Sequence, residues 1–137
     1  MNTRLTRRAF AACAFCAAAG FLATGVEAQN TQTPGLKRTL IKQTDGPMDG
    51  YVTVEMRVEI EPGAAVARHT HPGIESSYLV EGGLDLMVDG EDSRTLAPGE
   101  GFQVRAGVPH SAKNGPAKSV LAGTYVVEKG KPLASPA

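Results

Sequence analysis

The chain contains three histidines, His69, His71 and His110, and their spacing is its clearest chemical signal. His69 and His71 are separated by one residue in a stretch that reads as a strand. Residues at i and i+2 of a strand project from the same face, so two imidazoles can meet one ion without bending the backbone. Glu75 follows past a Pro72-Gly73 turn, and a chain that doubles back there brings its carboxylate to the same point. His110 lies far along the chain, just after Gly107-Val108-Pro109, where a neighbouring strand can deliver a third imidazole. Three neutral imidazoles and one carboxylate suit one divalent transition ion. That donor set admits Mn, Fe, Co, Ni, Cu or Zn without choosing among them. The competing assignment is to hydrogen-bonded or surface histidines. It is the default for a lone histidine, but it fits less well a His-x-His pair with a downstream glutamate in a chain that has just one other histidine.

The elements that must position these side chains read as short strands. Gly and Pro punctuate the chain roughly every ten residues, a rhythm that favours strands over helices. Tyr51 to Ile60 alternates: Val52, Val54, Met56, Val58 and Ile60 share one face, while Tyr51, Thr53, Glu55, Arg57 and Glu59 share the other. Glu61-Pro62-Gly63 ends that strand. Further strands are expected over Val66 to His71, from near Glu75 through Val80, and over Leu84 to Val88. Asp89-Gly90 marks a tight turn after Val88. A segment ending at Leu96, a strand with Phe102 and Val104 on one face, and a last apolar strand from Ser119 to Val127 complete the set. Glu128 to Ala137 is polar and expected to be loose. No repeat or second domain is visible. The pattern implies one all-β sandwich or barrel.

The N-terminal segment is different. Met1 to Ala28 carries Arg4, Arg7 and Arg8, then an apolar run, then Val26-Glu27-Ala28. A charged start, an apolar middle and a small-x-Ala exit describe a secretory signal, and the apolar run is short for a membrane-spanning helix. Thr6-Arg7-Arg8-Ala9-Phe10 resembles a twin-arginine signal, whose pathway exports folded proteins. The expected divisions are a signal over 1–28, a flexible linker over 29–35, a folded domain over 36–127 and a polar tail over 128–137. The expected location is periplasmic or exported, with no stable membrane association after cleavage. Three of the 14 basic and one of the 14 acidic residues fall in the signal, leaving 11 against 13 and a net charge of −2. No basic run survives, which excludes nucleic acid as a partner class. Both cysteines, Cys13 and Cys16, also lie in the signal, so the mature domain has neither a disulfide nor a thiolate ligand.

The residues around the histidines match a family pattern. Gly63, His69-Thr70-His71, Glu75 and Gly82 stand at every fixed position of the first cupin motif. The stretch from Pro98-Gly99-Glu100 to Ala106-Gly107-Val108-Pro109-His110 and Asn114 resembles the second. Arg105 departs from that motif, which usually has Pro there, and Glu100 stands where Asp is commoner. The resemblance, to single-domain quercetin-dioxygenase-like cupins, extends from about Leu36 to Val127. It implies a single double-stranded β-helix, or jelly-roll, barrel with an ion in its mouth. The implied ligands are His69, His71, Glu75 and His110, and the implied assembly is a homodimer.

Four protein ligands leave one or two coordination positions open, which separates a catalytic ion from a structural one. In cupin oxygenases the matching glutamate can partly leave the ion and act as a base, which makes Glu75 either the first candidate for proton transfer or a plain ligand. Ser77 shares the inward face of the Glu75 strand, and is either a hydrogen-bonding pocket residue or a small core residue. Phe102 either lines the pocket or fills the core. Arg68 falls between inward positions and should point outward. Two classes of function remain. One is a metal-dependent dioxygenase acting on a small oxygen-rich substrate, with isomerase, lyase or cyclase chemistry close by. The other is a non-catalytic module that binds a small ligand or senses metal or oxidants.

Overall fold

The structure, a computed structural model, describes residues 33–137, so the segment read as an export signal and most of the linker lie outside the described residues. Ten strands follow in order: β1 (Leu36–Asp45), β2 (Tyr51–Ile60), β3 (Ala65–Thr70), β4 (Gly73–Glu81), β5 (Leu84–Val88), β6 (Arg94–Leu96), β7 (Gly101–Val104), β8 (His110–Asn114), β9 (Ser119–Glu128) and β10 (Ser135–Pro136). No helix occurs among the described residues. The strands form two five-stranded sheets, β1-β2-β9-β4-β7 and β10-β3-β8-β5-β6, with every pairing antiparallel. This is the all-β architecture that the sequence pattern implied, in the jelly-roll form that the family resemblance implied.

Alternation builds the core. In β2, Val52, Val54, Met56, Val58 and Ile60 are buried between the sheets, as expected from their parity. Leu84, Leu86 and Val88 of β5 and Phe102 and Val104 of β7 do the same. Because side chains alternate with period 2, these inward residues meet in one apolar interior. Gly82 turns the chain after β4 with a φ of +90°. A Cβ there would stand 2.2 Å from Ser119 Oγ, so both conformation and space require glycine.

Two segments differ from the sequence reading. β1 carries no clean apolar alternation, because it is an edge strand that covers only one end of the core. Just Leu36, Arg38 and Gln43 along it are half-buried, and the rest is exposed. The C-terminal segment, expected to be loose, is folded back onto the barrel. Lys129 N–H donates to Gly50 O, and β10 pairs with β3 at Thr70 and His69. Its polarity misled, because backbone bonds make these attachments and a single apolar side chain, Leu133, packs against the core.

Asn114 explains the asparagine of the second motif. Its side chain is 4% exposed, and its amide nitrogen lies 2.9, 2.8 and 3.0 Å from the carbonyl oxygens of Ile60, Glu61 and Ala117. Its Oδ1 accepts a 2.6 Å bond from Ser119 Oγ, which in turn accepts from Gly83 N–H. One side chain thus ties the ends of β2, β5, β8 and β9 together. Replacing it orphans several buried polar groups at once. Asn114→Ala is expected to lower stability by about 2–4 kcal/mol, read as a shift of the urea unfolding midpoint.

Candidate metal centre

The four motif residues come from both sheets and converge at one end of the barrel. His69 and His110 are direct partners across the β3–β8 pairing. A bulge makes this so. Val66 pairs with Ala112 and His69 with His110, so β3 spends one more residue than β8 between these pairs. Val66 and His69 have opposite parity in the sequence, and the extra residue lets both face inward. Arg68, within the bulge, points outward and forms a two-pronged ion pair with Asp89. His71 sits just past β3, where the chain crosses to the other sheet, and Glu75 follows on β4. His71, Glu75 and His110 are 5%, 6% and 3% exposed. One donor atom from each of the four residues lies within 4.8 Å of all the others.

The hydrogen bonds fix which nitrogen of each ring faces the centre. Nδ1 of His69 lies 2.8 Å from Ala67 O, Nδ1 of His71 lies 2.5 Å from Leu133 O, and Nδ1 of His110 lies 3.1 Å from Val108 O. A carbonyl can only accept, so each Nδ1 carries the proton and donates it. The neutral rings then turn their Nε2 lone pairs to the centre. This carbonyl–imidazole arrangement typically stands behind metal-ligating histidines. Nε2 of His71 and Nε2 of His110 each lie 3.0 Å from Glu75 Oε2. Nε2 of His71 makes no directed hydrogen bond and is otherwise orphaned in the interior. Lone pairs gathered this closely repel unless a cation or added protons lie among them. The donor set therefore fits a divalent ion, with three imidazole nitrogens and one carboxylate oxygen as ligands.

The charges agree with that fit. Burial opposes ionisation of Glu75, but the facing rings of His110 and His71, with Ser77, outweigh it and hold its carboxyl well below the usual carboxylate range. Burial depresses His69 to about 4, so its ring is neutral at ordinary pH. For His110, burial favours the neutral ring, but Glu75 outweighs it and raises its affinity for a proton.

Glu75 is held from behind. Ser77 Oγ donates a 2.6 Å bond to Oε1, and Tyr125 Oη donates a 3.3 Å bond to the same oxygen. That leaves Oε2 for the centre. Tyr125 pairs directly with Glu75 across β4–β9, and Ser77 pairs with Gly123 on one side and Phe102 on the other. A Cβ on Gly123 would stand 3.0 Å from Ser77 Oγ and 3.1 Å from Tyr125 Oη, so this glycine makes the space in which the three groups meet. Burial and the neighbouring carboxylate push the Tyr125 hydroxyl well above the usual range.

A cavity of about 60 Å³ opens onto the cluster. Ser77 and Phe102 both line it, and Phe102 also packs in the core. Arg105 is exposed just beyond β7, where its carbonyl accepts the Val108 N–H of the turn, and it takes no part in the site. Two contributors were not read from the sequence: Tyr125, and the carbonyl of Leu133. Parity on the last strand carried a signal for Tyr125, since Leu121, Tyr125 and Val127 share the buried face. No side-chain pattern marks a backbone carbonyl.

The cupin domain model matches residues 56–127. The chain belongs to the cupin family. No curated protein matches it. Solved structures similar to this cupin include KdgF from Halomonas sp., 24% identical over 69% of this chain and 81% of that one, with a TM-score of 0.57. An RmlC-like cupin from Shewanella frigidimarina is 27% identical over 70% and 79%, with a TM-score of 0.58. The DMSP lyase DddQ from Ruegeria pomeroyi is 18% identical over 80% and 57%, with a TM-score of 0.61.

In this cupin, His110→Ala should abolish stoichiometric metal uptake, measured by elemental analysis after loading and desalting, with the barrel's circular dichroism retained. Deleting 133–137 removes the acceptor that orients His71, and should weaken metal binding about ten- to hundredfold. Unchanged uptake in both proteins would contradict the ligand assignment.

Proposed function

We propose that this cupin is a metal-dependent enzyme acting on a small oxygen-bearing molecule, with O₂-dependent cleavage as the leading reaction. The observation that carries the reading is the converging set of three Nε2 lone pairs and one carboxylate oxygen beside an open cavity. An ion bound there would supply Lewis acidity and open positions for substrate oxygens or O₂. The protein's own groups would do the rest. Ser77 and Tyr125 hold one oxygen of Glu75, so the carboxylate is oriented with its other oxygen toward the centre and the cavity. The apolar walls, among them Val58, Phe102 and Leu121, limit water at the reacting centre.

A second reading is proton-transfer chemistry without O₂, as in a lyase or isomerase. The buried hydroxyl of Tyr125, aimed at Glu75, favours it, because the pair can pass a proton between substrate and carboxylate. A non-catalytic binding module is the third outcome of the same test.

Export belongs to the proposal. Arg7-Arg8 and Val26-Glu27-Ala28 support twin-arginine export and cleavage after Ala28. A homodimer is supported by the exposed Ile74 and Tyr78 on the outer face of β4, each 48% accessible.

Metal-loaded protein should turn over members of a panel of small enols, diols and hydroxy acids. O₂ consumption coupled to turnover supports the oxygenase. Equal turnover under argon selects the proton-transfer reading. Thermal shifts without any turnover would overturn both and leave a binding module. The same protein, purified from a periplasmic fraction, should begin at Gln29 and show twice the chain's mass by light scattering. An uncleaved or monomeric product would contradict those parts.

A further inference from the structure

Apart from the three histidines, the cavity is lined by two ionisable groups of formal charge, Glu75 and Arg38. Glu75 is committed to the centre. Arg38 lies on the inward side of β1, half-buried, and pairs in register with Val58, which also lines the cavity. Several other cations of the barrel have anionic partners: Lys37 faces Glu59, Lys118 bridges Glu59 and Glu61, Lys129 holds Asp45, and Arg68 holds Asp89. Arg94 and Lys113 donate to backbone carbonyls instead. Arg38 has no carboxylate partner among the described residues. Arg38 lines the cavity with no carboxylate opposite it, and a ligand carboxylate could take two parallel hydrogen bonds from its guanidinium. Arg38 and Tyr125 line the same cavity.

We infer that Arg38 is the substrate-anchoring residue, and that the ligand is a small carboxylic acid gripped at one end by Arg38 with an oxygen at its other end turned to the four-ligand centre. This deepens the reading of the site as a metal-dependent enzyme and rests on it. The cavity of about 60 Å³ has room for about two waters and opens to solvent, which favours a small acid. The walls between the two polar ends are apolar: Val58, Leu121 and Phe102. A short body with one charged end and one oxygen-bearing end matches this layout. Lys37 and Lys42, also on β1, are exposed to solvent and do not line the cavity.

The test loads wild-type, Arg38→Gln and Arg38→Lys proteins with Mn(II) and measures binding of lactate and of its neutral analogue lactamide. Displacement of Mn-bound water, read by proton relaxation, reports binding at the centre, and elemental analysis of the same samples reports metal content. The expected result is a preference of wild type for lactate over lactamide of about ten- to hundredfold. Arg38→Gln should lose that preference with full metal content, and Arg38→Lys should keep part of it. Equal binding of acid and amide by metal-loaded wild type, or an undiminished preference in Arg38→Gln, would overturn the Arg38 assignment alone. Loss of metal from both variants would make Arg38 a structural residue and overturn it too. A wild-type protein that takes up no Mn(II) would instead overturn the metal centre on which the assignment rests.

Discussion

Each imidazole at the centre is fixed by a hydrogen bond from Nδ1 to a backbone carbonyl, and the site depends on these three bonds. They set the tautomer, turn Nε2 inward and remove the rotational freedom that a free ring would lose on binding an ion. The three carbonyls belong to three different pieces of chain. Ala67 lies in the bulge of β3, Val108 in the turn before β8, and Leu133 in the segment that folds back after β9. The bulge, the turn and the returning C-terminal segment are thus local irregularities with one common consequence. A regular barrel would present the same side chains without controlling which nitrogen faces the interior.

The remainder of the fold supplies rigidity where the site needs it. Gathering four polar groups in an apolar interior is unfavourable unless each has a partner. Here Ser77 and Tyr125 donate to Glu75 from behind and stabilise its charge, while its other oxygen faces the rings. Gly123 makes room for that cluster, and Asn114 closes the opposite part of the barrel through backbone carbonyls. Two motif residues that never approach the centre, Gly82 and Asn114, thereby acquire physical roles: one permits a turn and close packing, the other joins strand ends.

Much of this was legible in the sequence because period-2 alternation is a direct record of which face is buried. The core of β2, β5, β7 and β9, the outward course of Arg68 and the inward course of Ser77 all follow from parity. Parity alone could not relate Val66 to His69, because the bulge between them leaves no mark in residue type. It could not reveal β1, an edge strand with little apolar content, or β10, which is held by backbone bonds under polar side chains. Tyr125 and Arg38 reach the cavity through strand register, which sets β9 against β4 and β1 against β2 and is a long-range property. Sequence spacing thus named the four side chains that converge, and the groups around them needed the fold.

The most direct test is anomalous diffraction from crystals of the metal-loaded protein at the absorption edge of the bound metal. The account predicts a single strong peak about 2.0–2.2 Å from Nε2 of His69, His71 and His110 and from one oxygen of Glu75. It also predicts that Nδ1 of each ring remains on its backbone carbonyl. No peak at this position, or a metal bound through Nδ1 with the rings turned over, would contradict it.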